Sequence, residues 1–182
     1  MIDLKAKADE VCKIIAYVTD LPVTHIAVGP LRAGAPTGPY CVVTPLGDEQ
    51  WGQAMKSDEV VPGEVYDDVR EFTKTQKVLQ FSINMYRDNA ASRLGAIKEA
   101  NKRYPVQLIL RAAGLGWQRV GPTQNLTGLF AANSEERFQC SLYLYAEDSV
   151  SDIVQTIYDV EYGLSVDAQI DLAEGSVNVL SS

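Results

Sequence analysis

The sequence holds one histidine, three cysteines and fewer basic than acidic residues, and it has no long apolar run. Each scarcity excludes a class of protein. Apolar stretches such as Val42-Val43 and Leu108-Ile109-Leu110 fall far short of the ~20 residues that a membrane span requires, so no membrane partner is expected. Residues 1–10 carry charges throughout and lack the apolar segment of a secretory signal; cytosolic synthesis is the expectation. Cys12, Cys41 and Cys140 are far apart in sequence, form no Cys-x-x-Cys pair and sit among apolar neighbours. They read as small core residues, not as ligands or a disulfide framework. His25 stands alone in Val23-Thr-His-Ile-Ala27. A metal site wants three or four ligands at short spacing, and no nucleophile motif accompanies this imidazole, so it reads as structural. Sixteen bases against twenty-four acids leave a net charge of −8. A nucleic-acid grip needs clustered cations to neutralise phosphates, so specific binding is not expected. Passage of nucleic acid through an acidic channel remains compatible with that charge.

What is present is an ordinary globular balance, 46% apolar and 22% charged, in a chain long enough to bury a core without a metal or disulfide. Leu4, Ala8, Val11, Ile15 and Val18 make one stripe of a helix over 4–18, closed by Asp20 and Pro22. Glycines and prolines mark 28–39 as a loop, and Tyr40–Thr44 as a short strand that stops at Pro45 and Gly47. From Thr75 to Tyr86, Leu79, Phe81, Ile83 and Met85 alternate with polar residues, the signature of a half-buried antiparallel strand. Asp88 is placed to cap a following helix with Leu94, Ile97, Ala100 and Tyr104 on its buried stripe; Pro105 opens a second helix and Gly114 ends it. Residues 117–120 suggest a short strand and 121–134 a loop. Phe138, Cys140, Leu142, Leu144 and Ala146 repeat the period-2 pattern. For 153–160 the periodicity does not choose between strand and helix. The order of elements predicts an α+β fold: a mainly antiparallel sheet with helices packed on one face. It forms one domain over 1–162, followed by a polar tail over 163–182 for which mobility is the default.

No enzyme signature emerges. The pairs Asp48-Glu49, Asp58-Glu59, Asp67-Asp68 and Glu135-Glu136 lie in polar stretches, where solvation is the simpler reading than acid–base work in an apolar cleft. Gly114-Leu-Gly116 follows a helix, whereas a phosphate loop would open one, and the third glycine of that motif is replaced by Arg119. Asn125-Leu-Thr127 fits a glycosylation sequon without a secretory context. Trp51 and Trp117 are isolated, and no aromatic ladder suggests base stacking. Neither a catalytic residue, a metal nor a cofactor is expected.

Several stretches, in order, carry a resemblance. Gly38-Pro-Tyr-Cys-Val-Val43 leads into a strand, and Phe72-Thr-Lys-Thr75 into Phe81–Tyr86. The helix pair ends in Leu108-Ile-Leu-Arg-Ala-Ala-Gly114 and is followed by Val120-Gly-Pro122. Thr123-Gln-Asn-Leu-Thr-Gly-Leu129 makes a loop, and Glu135-Glu-Arg-Phe138 enters a long strand. Together they resemble the neck and tail-terminator proteins of myophages and related prophages; 48–71 and the stretch after Gly163 match less well. The resemblance implies a homo-oligomeric ring, a hexamer, that caps the tail tube, stops its polymerisation and joins the tail to the head connector. DNA would pass through the lumen. Its partners would be the tail tube protein, the head–tail connector and, in a contractile tail, the sheath, with assembly in the host cytoplasm and a final place in the virion. The alternatives are another neck component, such as a head-completion or connector adaptor protein, and, from a different class, an unrecognised enzyme or small-molecule-binding domain.

Charge distribution supplies candidate surfaces for such a ring. Residues 48–71 hold eight acids against two bases, a net of −6, and with Pro62-Gly63 in the middle they read as a projecting acidic hairpin or loop. Asp58, Glu59, Glu64, Asp67 and Asp68 are its candidate lumen lining. Residues 87–119 carry a net of +5, and 147–182 a net of −8 with no base. Arg93, Lys98, Lys102, Arg103 and Arg111 on one subunit are therefore candidate contacts for Asp167, Asp171 and Glu174 on the next, as a head-to-tail ring requires two different patches.

Overall fold

Asp3 starts the first helix. In the computed structural model, which describes residues 2–30, 34–62, 68–130 and 133–154, its Oδ1 accepts the backbone N–H groups of Lys5 at 2.9 Å and Ala6 at 3.1 Å. This satisfies two donors that a helix start leaves unpaired. Helix α1 runs Leu4–Thr19 and stops at Asp20, whose φ of +55° is left-handed. Its buried stripe is wider than the sequence suggested: Cys12, Ile14 and Thr19 join Ala8, Val11, Ile15 and Val18, while Leu4 is only partly buried.

The strands are β1 (Ile26–Val28), β2 (Tyr40–Gln50), β3 (Met55–Val61), β4 (Asp68–Tyr86), β5 (Leu115–Val120), β6 (Gln124–Asn125), β7 (Gly128–Phe130), β8 (Asn133–Glu135) and β9 (Arg137–Val154). One sheet has the order β1-β2-β4-β9-β5, with β3 also on β4 and β6 also on β9; β7 and β8 pair separately. Among the described strand pairs only β1–β2 is parallel. The central pair is β4–β9, in register from Val69 opposite Val154 to Tyr86 opposite Arg137. Helices α2 (Ala90–Lys98) and α3 (Tyr104–Ala112) join α1 on one face. Leu79, Phe81, Ile83, Leu142 and Leu144 are fully buried beneath them, with Phe138 packed at the margin. The fold is α+β, as its period-2 strands and period-3.6 helices require.

Several boundaries differ from the sequence reading. β2 does not stop at Pro45 but passes it through a bulge between Pro45 and Gly47. Because β1 reaches only to Val43, Pro45 lies on an edge, where a missing N–H costs no ladder bond. Both long strands run further than their alternation: β4 begins at Asp68 and β9 continues to Val154. Residues 121–134 are not simply a loop, since β6, β7 and the start of β8 fall there. Asp88 does not cap α2; Asn89 holds that position at φ +62° without a side-chain bond. Leu94, Ile97 and Ala100 are buried, but Tyr104 is exposed, because a short 3-10 turn at Ala100–Lys102 breaks the helix and rotates the stripe. Gly114 does end α3 in the left-handed region, at φ +64°. The 163–182 tail and 155–160 lie outside the described residues.

Candidate interaction surfaces

Beyond the helical layer the sheet narrows to a three-stranded arm: β3, the first half of β4 and the last third of β9. It is the acidic hairpin expected from 48–71, enlarged by a strand that sequence reasoning did not place there. Lys77 fixes its base. Its ammonium meets Asp48 on β2 at 2.9 Å and Asp148 on β9 at 3.1 Å, and the hydrogen bonds to these carboxylates, Asp48 first, hold its pKa above the ordinary lysine range. Further out, Lys56 pairs with Glu71. In the register, Asp58 faces Glu71, which faces Asp152. Residues directly opposite one another share a sheet face, so three carboxylates lie in one row, an arrangement that disfavours the isolated arm.

The candidate lumen residues divide. Asp58 and Glu59 are both exposed on β3, but neighbours in a strand point to opposite faces. They therefore do not form one wall. Asp68 opens β4 opposite Val61, and Glu64 and Asp67 lie outside the described residues. Asp152 joins the acidic row instead. Its signal was weak because a strand solvated on both faces carries no alternation.

Of the candidate subunit contacts, Lys98 is exposed at the end of α2, Lys102 pairs with Glu99, Arg103 precedes α3, and Arg111 is exposed in its last turn. Arg93 is half-buried and donates to the Asp88 carbonyl. All five belong to the α2–α3 segment of the helical layer. Asp167, Asp171 and Glu174 lie outside the described residues. Arg111 also borders an open cleft of about 550 Å³, shared with Trp51, Tyr145 and Glu147.

The sheet face opposite the helices is a polar lattice. Tyr40 and Tyr86 stack with centroids 4.4 Å apart, the Arg87 and Arg137 guanidinium groups lie over them, and Arg119 covers Tyr143 at 3.9 Å. Arg137 donates to Asn84 at 3.0 Å, and Gln139 to Ser82 at 2.9 Å. Arg87 also ties the strand end to the 34–39 loop through the Pro36 carbonyl at 2.6 Å and to Glu135 at 2.9 Å.

His25 and the three cysteines, the residues weighed for chemistry, are half-buried or buried. His25 is half-buried, with Nδ1 3.0 Å from the Pro39 carbonyl oxygen. The three thiols are free and buried. Burial, aided by Asp9, pushes Cys12 up to about 11; burial pushes Cys140 up to about 12 against an opposing pull from Lys98. Cys41 is raised well above its ordinary value by burial and then by the other two thiols, all three lying in one buried cluster. Asn125 accepts the Thr127 amide at 3.0 Å and Thr127 accepts the Arg137 amide at 3.2 Å; the apparent sequon is a turn. Among the described residues no group of three or more His, Cys, Asp or Glu side chains is placed to hold a metal, and no helix is long and apolar enough to cross a membrane.

These observations define a two-layer α+β protein whose charge and exposed apolar groups are concentrated on a sheet arm and on the outer side of its helices. The chain matches the family of the phage neck terminator protein over residues 10–170. It belongs to that family and is a structural protein of the phage neck. No curated protein matches it.

Proposed function

We propose that the chain is a tail terminator: a hexameric ring that caps the tail tube, stops its polymerisation and joins it to the head connector while DNA passes through the lumen. The observation that carries this reading is the family match across residues 10–170. The projecting arm is consistent with it, as a ring subunit needs a surface reaching past its own core. The ring assembles in the host cytoplasm and ends in the virion; its partners are the tube protein, the connector and, in a contractile tail, the sheath. In this reading DNA makes no specific contact, no cofactor takes part, and the subunit's role is structural rather than catalytic.

Within this reading, residues 1–162 are the ring-forming unit and 163–182 a tail. The basic group Arg93, Lys98, Lys102, Arg103 and Arg111 meets acidic residues of the next subunit, Asp167, Asp171 and Glu174 among them. The lumen is acidic or neutral, with Asp58 or Glu59, but not both from one arm face, contributing together with Glu64, Asp67 and Asp68. An acidic wall lets phosphates slide, whereas a basic wall holds them through counterion release. Electron microscopy of the purified chain, alone and mixed with tail tubes, tests the proposal. Six-membered rings that bind tube ends and halt elongation are expected. A monomer that leaves elongation unchanged would overturn it.

A further inference from the structure

The arm exposes apolar side chains on both faces, with Met55 and Ile153 at 70% and 60% on the side away from the helices. Its helix-side face holds Val60 and Val150, 67% and 54% exposed, interleaved with the row Asp58, Glu71 and Asp152. This is the same sheet face that bears the helices nearer the core, because Glu71, like Phe81 ten residues on, is odd-numbered on β4 and the strand alternates. Here it runs out past the helices that cover it. Val60 lies directly opposite Val69 on β4, so an apolar pair sits beside the carboxylate row.

The opposite number is on α3. Tyr104, Leu108 and Arg111 follow the i, i+4, i+7 spacing and all three are exposed, Tyr104 at 66% and Leu108 at 46%. The buried side of the same helix is Val106 and Leu110. The stripe therefore presents apolar surface next to a cation, with Lys102 and Arg103 at its start. One patch is apolar and on balance anionic, its Lys56 paired with Glu71, the other apolar and cationic, and both belong to every copy of the chain.

We propose that the valine- and carboxylate-bearing face of the arm seats on the Tyr104–Leu108–Arg111 stripe of a second copy of this chain. The contact deepens the ring reading and rests on it. It joins two different patches, so it is head-to-tail, the geometry that closes into a ring when the rotation permits. The apolar groups supply the affinity. The carboxylate row and Arg111 set direction and register, since exposed charges steer and select more than they bind.

Cross-linking of the full-length chain decides the matter. All three native thiols are buried, so Leu108→Cys with Val150→Cys introduces the reactive pair. Mild oxidation should give a ladder of covalent multimers ending at the ring size, while either single substitution gives none. In a parallel experiment, Arg111→Glu should lower the ring population at least tenfold in sedimentation without shifting the subunit's thermal midpoint, and adding Asp152→Lys should restore it. Rings from which the double-cysteine chain yields no ladder, and which Arg111→Glu leaves intact, would overturn the arm contact alone. A chain that stays monomeric at every concentration would overturn the ring reading and this contact with it.

Discussion

At the scale of single residues, stability comes from the strand positions under the helices. Phe81 is fully buried in the second half of β4, opposite the fully buried Leu142 of β9. Phe81→Ala removes a ring that the surrounding helices cannot collapse to replace, and should cost ~3–5 kcal/mol in chemical denaturation; an unchanged midpoint would contradict the placement. The thiols make a second prediction. The folded chain holds Cys12 and Cys140 protonated up to about 11 and about 12, against an ordinary 9.0. Above pH 9 the unfolded chain therefore binds fewer protons than the folded one, and stability falls as pH climbs from about 9 towards 11–12, with no contribution below that window. The Cys12→Ala, Cys140→Ala double variant should lose part of this slope in alkaline denaturation. An identical slope would mean that other groups account for all of it.

At the scale of elements, β4 is one strand with two environments. Its second half lies between β2 and β9 with helices on one face; its first half lies between β3 and β9, in the solvated arm. Local opening costs less where few apolar contacts must break. Amides of 79–85 should therefore exchange far more slowly than those of 69–75, within one uninterrupted strand. Hydrogen exchange on a dilute, unassembled subunit reads this directly, and uniform protection along β4 would show that the arm is held by contacts other than its ladder. The same contrast explains the boundaries that the sequence missed. Alternation reports one buried face, so it fades where burial ends, near Val78 and Ala146, although strand pairing continues to Asp68 and Val154.

At the scale of the whole molecule, the question is what holds copies together. Residues 147–182 carry eight acids and no base, and the helical layer offers Lys98, Lys102, Arg103 and Arg111. If the ring reading holds, removing 163–182 should shift rings towards monomers without unfolding the subunit, and raising salt should do the same, because exposed pairs are screened and contribute only ~0–1 kcal/mol each. Sedimentation of the truncated chain checks this: rings as stable as those of the full chain at every salt concentration would remove the tail from the interface. A greater sensitivity to Arg111→Glu than to the truncation would assign the main contact to the arm.

Local pattern set the class and the main elements, the first helix, the α2–α3 pair and the two long central strands. Leu79, Phe81, Ile83 and Met85 against Cys140, Leu142 and Leu144 announce two one-sided strands; Asp20, Pro105 and Gly114 mark helix ends through local backbone chemistry; and the ordered motifs from Gly38 to Phe138 carry the family. All of these are encoded within a few residues of one another, by periodicity or by dihedral preference. Of the arm, the acidic 48–71 hairpin was legible, but not the end of β9 that completes it. Tertiary structure alone decided that Asp152 stands beside Asp58 and Glu71, that Lys77 clamps Asp48 and Asp148, and that Tyr104 turns outward next to Arg111. Each depends on strand register or on helix rotation. Those are set by packing between segments roughly 15 to 100 residues apart in the chain, a relation that no local pattern records.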